Sequence, residues 1–372
     1  MTFTQQHIHP DFSAAAKLFE GFTANEEAQL AVYAGGELVL DLATNYSADA
    51  LSTVYSVSKG LSAIALAHLV AAGSLDLDQT VAHYWPEFAA QGKSSVTVRQ
   101  LLSHQAGLPE TDAGLTAAQF LDDHAAAAAL AAQKPFWRPG SGFGYHALSI
   151  GPLMSELCFR ITGQTIQHYY ETNVRVPAGA DAYLGLPENL ESRVAELLPA
   201  PVPTQAEADK FGIDLGARPS PIDAHVGRPL SEPFITSAAG RRFGLPSAGA
   251  VASARGLAAV FQWATGFGAS QGGIPADVLA EFAQAQVFGR DQVSNFAPRS
   301  HGIVFMKPTA AIPFGSHQAF GHDGLGGAIV LADPASQVVL GYSVRRMTFP
   351  GGVDRRLQPV IDAVHAAARG QI

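Results

Sequence analysis

The chain has 372 residues, 47% hydrophobic and 15% charged, which predicts a compact folded protein with a large core rather than a disordered one. Its net charge of -9 comes without a basic run or basic-aromatic interleaving, which argues against nucleic acid as a partner. A single cysteine, Cys158, excludes an intrachain disulfide and gives no metal cluster.

The opening "MTFTQQHIHPDF" has neither a basic n-region nor an apolar h-region, so no secretory signal is predicted and a cytoplasmic location is expected. His7 and His9 read as polar surface, because no further ligands accompany them. A helix is predicted from the start of residues 11 to 27. Two apolar, partly alternating runs around Gly35-Gly36 then predict a β-hairpin. The stretch "YSVSKGLSAIALAHLVAAGS" follows as a helix too short to span a bilayer. "GSLDLDQTVAHYWPEF" predicts a turn and a short helix, "VTVRQLLSHQAGLPE" a helix ending at Gly107, and residues 115 to 133 an alanine-rich helix stopped by Pro135. "FWRPGSGFGYHALSIGPLMSELCFRITG" reads as a glycine-rich loop and then an apolar helix. Residues 199 to 233 hold seven prolines and little periodicity, the mark of a functional lid, a binding loop or a surface insertion.

Helices return near 252 to 267 and in "PADVLAEFAQAQVF". "HGIVFM", "HQAFGHDG", "GGAIVLADP" and "QVVLGYSVRRM" predict consecutive antiparallel strands, and "VDRRLQPVIDAVHAAARG" a closing helix. Strands at both ends with helices between predict an α+β fold. One lobe is an antiparallel sheet from residues 1–55 and 290–372, and the other, residues 56–289, is mostly helical. A cleft between them is the expected place for a small-molecule site.

Ser56 stands where the first sheet segment enters the helical part, three residues before Lys59. From Gly60 to Ser74 the only ionisable side chain is His68, so the helix is expected to be buried on nearly every side. An ammonium there is disfavoured twice, by loss of water and by the positive end of the helix dipole. No acid lies close in sequence, since Asp41 and Asp49 precede it and Asp76 is the next. Lys59 is therefore expected to be a neutral amine on the same helix face as the Ser56 hydroxyl. A weak hydroxyl nucleophile beside a neutral amine is what activated serine chemistry requires.

Four ordered segments then carry a resemblance. "YSVSKG" is similar to an S-x-x-K box, and "VTVRQLLSHQAGLP" (96 to 109) to the helix and turn that follow it. "WRPGSGFGYHALSIG" (137 to 151) is similar to a W-x-P-G…Y-S-N segment, and "FGHDGLGGAIVLADP" (320 to 334) to a GHxG strand. Together the chain resembles the serine β-lactamase and penicillin-binding-protein superfamily, in the class C-like branch that includes the family VIII carboxylesterases. The resemblance implies a β-lactamase/transpeptidase-like fold and places Tyr145 beside Ser56 and Lys59. A neighbouring positive charge would draw Tyr145 toward phenolate character, and the two would share proton duties as a coupled pair, either one taking the Ser56 proton. It further implies an oxyanion hole from the Ser56 and Leu325 N–H groups, a close approach of substrate to the strand at Gly324, and a polarising or substrate-binding role for His322.

Two departures stand out. Tyr145-His146-Ala147 replaces Y-S-N, removing the amide that would hold an acyl-amide group. His322 replaces the lysine of K-T-G, removing a charge suited to a carboxylate. Both point toward small neutral esters as substrates. "GASQG" (268 to 272) is formally G-x-S-x-G, but it follows a helical run rather than a strand, so Ser270 reads as loop. The expected activity is a serine carboxylesterase acting through an acyl-Ser56 intermediate, without metal or organic cofactor and without nucleic-acid or membrane partners. An amide or peptide hydrolase of the same fold (D-aminopeptidase, small-amide hydrolase or β-lactamase) and an inert binding protein are the alternatives. Phe136, Trp137, Phe143, Phe234 and Phe320 are the aromatic candidates for the pocket wall.

Overall fold

The computed structural model describes residues 3–211, 213–215, 234–269, 272–294 and 298–370. The strands among them are β1 (Phe3–Ile8), β2 (Ala28–Ala34), β3 (Glu37–Thr44), β4 (Ser52–Thr53), β5 (Ala182–Tyr183), β6 (Val251–Ala252), β7 (Val287–Gly289), β8 (Arg299–His301), β9 (Phe320–Asp323), β10 (Ile329–Asp333) and β11 (Val338–Val344). The helices used below are α1 (Ser13–Thr23), α2 (Val57–Ala71), α3 (Val98–Leu102), α4 (Asp123–Ala132), α5 (Ile150–Thr162), α6 (Ala254–Thr265), α7 (Ala276–Ala283) and α8 (Gln358–Arg369).

Both chain ends share one antiparallel sheet, in the order β1-β3-β2-β11-β10-β9. The β2–β3 hairpin turns at Gly35 and Gly36, with φ of 55° and 90°, a backbone that two successive residues with side chains adopt only at a cost. Side chains alternate across the sheet as its pleat demands. Leu30, Val32, Leu331 and Leu340 join Phe12, Phe19, Val360 and Val364 beneath α1 and α8. Ala31, Val330, Ala332 and Val339 face the other way, into a larger core with Leu61, Leu257 and Phe261. The β-lactamase-like α+β architecture is therefore present, with helices on both faces of the sheet. One placement differs from the expected lobes: α6, from the middle of the chain, packs on β11, β2 and β10.

The remaining differences have local causes. β1 was not foreseen; it is an edge strand of mixed polarity, paired only with β3. The helix expected to run to Gly107 stops at Leu102, because His104 takes a left-handed backbone with φ of 63°. The alanine-rich helix is split in two, with Asp122 accepting the Ala125 N–H at the second start. "HGIVFM" is not a strand beyond His301, since Val304 has φ of 63° and breaks the extended run. Of the proline-rich stretch, a short helix at Gln205–Asp209 is seen, while residues 216–233 lie outside the described residues. Among the described residues no helix is long and apolar enough to cross a membrane.

Candidate active site

β4 runs into α2 through a sharp turn. Tyr55 has φ of 45°, a strained value for a residue with a side chain, and Ser56 follows with helical φ and ψ of -66° and -8°. Ser58 holds this turn: its hydroxyl donates to the Tyr55 carbonyl at 2.5 Å and accepts the Ala250 N–H at 2.8 Å, tying α2 to the strand β6 segment. Ser56 sits at the N-cap position but its hydroxyl caps no N–H. That hydroxyl is left for chemistry.

Every residue from Val57 to Ala67 is buried, Lys59 among them. The Lys59 ammonium nitrogen reaches the Ala147 and Ser247 carbonyl oxygens at 2.7 Å each and the Ser56 Oγ at 3.1 Å. Burial drives the Lys59 pKa well below the usual lysine value; Asp323 opposes the shift and Arg299 adds to it. A neutral amine has two N–H donors and one lone pair. Two carbonyls take the donors, which leaves the lone pair facing the serine hydroxyl.

Tyr145 lies over this pair, with Lys59 Nζ 4.9 Å from its ring centroid. Its own loop is fixed by neighbours on three successive residues. Gly144 N–H donates to the His104 carbonyl at 3.1 Å, Tyr145 N–H to the Asp291 carboxylate at 3.0 and 3.2 Å, and His146 N–H to His104 Nδ1 at 3.2 Å. The expected pull toward phenolate is overturned: burial raises the Tyr145 pKa, and the opposing effects of the Ser56 hydroxyl and of Arg299 are smaller. The Arg299 guanidinium beside the phenol offsets only part of that desolvation. Tyr145 keeps its proton.

His146, which stands where the resemblance has a serine, points inward. Its Nδ1–H donates to the Gly144 carbonyl at 2.6 Å and its Nε2 accepts the Leu108 N–H at 2.9 Å. Ala147 supplies only its carbonyl, to Lys59.

His322, on β9, is buried and its pKa is pushed well down, first by desolvation and next by Lys59. Its Nδ1 lies 2.7 Å from the Asp323 carbonyl, which assigns the proton to Nδ1 and leaves Nε2 as an acceptor 3.5 Å from the Tyr145 hydroxyl, at the long limit of a hydrogen bond. Close packing of backbone also requires glycine at 324. A Cβ there would stand 2.2 Å from the Val54 carbonyl oxygen, so strand end and nucleophile turn touch through backbone alone. At Gly326 the same construction meets Tyr55 Cδ2 at 3.6 Å. Leu325 is thus bracketed against the two residues before Ser56. The Ser56 and Leu325 N–H groups donate to no described residue, as an anion-binding pair requires.

Several residues in the site gave no local signal in the sequence. Arg299 places its guanidinium 5.2 Å from the Tyr145 ring centroid, and His301 stacks on that ring at 5.7 Å and 14°. His301 is buried with a pKa pushed down to about 3, mainly by desolvation. Asp291 lies on no motif, whereas His104 stands inside the quoted "LLSHQAGLP". Of the aromatic candidates, Phe320 packs in the core against Phe305 and Phe261, Phe234 stacks on Phe120, and Trp137 meets the edge of His146. Ser270 lies outside the described residues; the element before it is α6, not a strand. Among the described residues no group of three His, Cys, Asp or Glu side chains is placed to hold a metal ion.

The chain as a whole is similar to several known proteins. EstA from Arthrobacter nitroguajacolicus Rue61a superposes with a TM-score of 0.88 at 38% identity, over 99% of either chain. A family VIII carboxylesterase superposes with a TM-score of 0.84 at 29% identity, over 99% of this chain and all of the other. The esterase/beta-lactamase LipL of Mycobacterium tuberculosis is 31% identical over 349 residues, 86% of this chain and 77% of LipL. Residues 15–364 match the Beta-lactamase family, and the chain belongs to it.

Proposed function

We infer that the protein is a serine carboxylesterase that hydrolyses small neutral esters through an acyl-Ser56 intermediate. The observation that carries this is the Lys59 amine, buried, satisfied by two carbonyls, and 3.1 Å from the Ser56 hydroxyl. Ser56 Oγ attacks the ester carbonyl carbon while its proton passes to Lys59 Nζ. The resulting oxyanion takes hydrogen bonds from the Ser56 and Leu325 N–H groups; removing one such donor typically costs about 3 kcal/mol of transition-state stabilisation. The C–O bond to the alcohol then breaks, and the leaving alkoxide receives a proton from Lys59 by way of the Tyr145 hydroxyl. His322 Nε2 can accept the Tyr145 O–H between transfers. Water attacks the acyl carbon and its proton goes to the same amine; the bond to Ser56 Oγ then breaks, Oγ takes that proton back from Lys59, and the carboxylic acid leaves.

Burial drives Lys59, Tyr145 and the histidines around them toward their uncharged forms, which supports a neutral substrate. One observation favours the amide- or peptide-hydrolase alternative, namely the cationic Arg299 guanidinium 5.2 Å from the Tyr145 ring centroid. The test is the ratio of kcat/KM for p-nitrophenyl butyrate to that for a chromogenic cephalosporin, with Ser56→Ala as the blank. A large ratio that vanishes in the variant supports the esterase. A ratio near or below one moves the assignment to amides, and activity that survives Ser56→Ala removes the serine mechanism. The same proposal includes a cytoplasmic location, since a chain whose one cysteine is buried needs no oxidising compartment; fractionation against cytosolic and periplasmic marker enzymes tests it.

A further inference from the structure

The segment "LLSHQAGLP" contributes no reacting group to this mechanism, yet its histidine stands behind Tyr145. His104 is fully buried and leaves α3 with φ of 63°, an uncommon value for a side chain of its size. That backbone turns its carbonyl and its ring toward the same loop. The carbonyl accepts Gly144 N–H at 3.1 Å, and ring Nδ1 accepts His146 N–H at 3.2 Å. The two residues flanking Tyr145 are thus held by one residue. The ring itself meets Tyr145 edge to face, with centroids 5.2 Å apart at 61°, and meets His301 at 4.9 Å and 72°. His301 in turn stacks on Tyr145 at 14°. In the other direction, His146 Nε2 accepts the Leu108 N–H at 2.9 Å and Ser149 Oγ donates to the Leu108 carbonyl at 2.7 Å, so the 104–108 turn and the tyrosine loop are laced together.

Nδ1 works as an acceptor only while it carries no proton, and so the proton belongs on Nε2. Full burial, the main cause that lowers its pKa, maintains that neutral state. An imidazolium would set an N–H against the His146 N–H and push the loop away.

We propose that His104 is a positioning residue for Tyr145, acting through the paired hydrogen bonds of its carbonyl to Gly144 and its Nδ1 to His146. It touches neither substrate nor the reacting atoms. Its effect is to keep the Tyr145 hydroxyl on the line between Ser56, Lys59 and the leaving oxygen. The proposal rests on the esterase assignment.

The experiment is a kinetic double-mutant cycle with p-nitrophenyl butyrate, using His104→Ala, His104→Asn, Tyr145→Phe and His104→Ala/Tyr145→Phe. Asparagine tolerates the left-handed backbone and places Oδ1 near the position of Nδ1, so it retains the acceptor. A misplacement of about 1 Å in a reacting group costs on the order of 100-fold in rate. His104→Ala is therefore expected to lower kcat on the order of 100-fold with KM changed by less than about threefold, and His104→Asn to recover most of that loss. In the Tyr145→Phe background, His104→Ala is expected to cost less than about threefold, since its target is already gone. Wild-type kcat in His104→Ala, an Asn variant as slow as Ala, or equal losses in both backgrounds each overturn the proposal. Should His104→Ala not fold, His104→Gly takes its place in the cycle, because glycine accepts φ of 63° without strain. Labelling with a fluorophosphonate and locating the adduct separates the two levels. An adduct away from Ser56 overturns the esterase mechanism itself, whereas an adduct on Ser56 in every variant leaves the cycle to decide the role of His104.

Discussion

Gly324→Ala is the substitution whose consequence is most directly set by the structure. The new Cβ would lie 2.2 Å from the Val54 oxygen, 3.1 Å from the Val54 carbonyl carbon and 3.5 Å from Val57 Cγ2. Non-bonded heavy atoms settle at roughly 3.5 Å, so the strand end and the turn must part by on the order of 1 Å. Both sides of the contact at Val54 are backbone, and no rotamer change can relieve it. Overpacking of this kind costs about 1–3 kcal/mol, which in a chain of this size lowers Tm by a few degrees. The larger effect is on catalysis, because Leu325 moves with Gly324 and its N–H leaves the oxyanion position. Losing one such donor is expected to lower kcat on the order of 100- to 1,000-fold. Gly326→Ala is the control: its Cβ meets nothing closer than Tyr55 Cδ2 at 3.6 Å, and kcat should stay within about threefold of wild type. The assay is kcat and KM on p-nitrophenyl butyrate, normalised to the fraction of sites titrated by a phosphonate, with calorimetry on the same samples. A Gly324→Ala enzyme with wild-type kcat, or a Gly326→Ala enzyme just as slow, would refute the argument that Leu325 is positioned by backbone contact.

Because Lys59 reacts as the neutral amine and burial lowers its pKa, kcat/KM should fall only as the pH drops through that lowered value. Tyr145, raised by burial, keeps its proton beyond the ordinary tyrosine range, so a plateau is expected between the two; activity still climbing near 10.5, the ordinary lysine value, would show that Lys59 is not the base. Ser58→Ala strips the Ala250 N–H of its buried acceptor and frees the Tyr55 carbonyl, which should cost about 1–3 kcal/mol in urea unfolding and slow acylation of Ser56; a stability unchanged from wild type would show that the Tyr55 turn holds itself. Asp291→Ala leaves the Tyr145, Val293 and Ser294 N–H groups without their shared carboxylate. It should lower stability by about 3 kcal/mol or more and reduce kcat, and wild-type values of both would remove Asp291 from the support of the tyrosine loop.

The helix carrying Ser56 and Lys59 was legible because its lack of charge is a local property, written in consecutive residues. The hairpin at Gly35-Gly36 and the strands β9 to β11 were legible for the same reason, as alternation and turn residues are also local. What eluded sequence reasoning depends on distance along the chain. β1 has the polarity of an edge, and its partner β3 begins some thirty residues later, so nothing in "FTQQHI" announces a strand. The early end of α3 follows from the left-handed backbone of His104, which is held by bonds to residues 144 and 146 and not by its own neighbours. Asp291, Arg299 and His301 reach Tyr145 from the β7–β8 region, where no motif marks them. The resemblance supplied the pairing of Ser56 and Lys59 with Tyr145, but it left open which of Lys59 and Tyr145 takes the serine's proton, a choice set by their charge. Burial, which decides that charge, is a property of the assembled fold.

The pairing of β2 with β11 sets Leu30 opposite Tyr342, and this has a consequence for biosynthesis. The ribosome finishes α2 about 270 residues before it finishes β11, an interval on the order of 15–50 s at bacterial elongation rates. Throughout that interval the nascent chain carries β1 to β3 without the three strands that complete their sheet. Only when the last strands arrive does the sheet close and bring His322 and Leu325 to the helix. A chain released before β9 would therefore retain Ser56 and Lys59 without His322 and the Leu325 N–H.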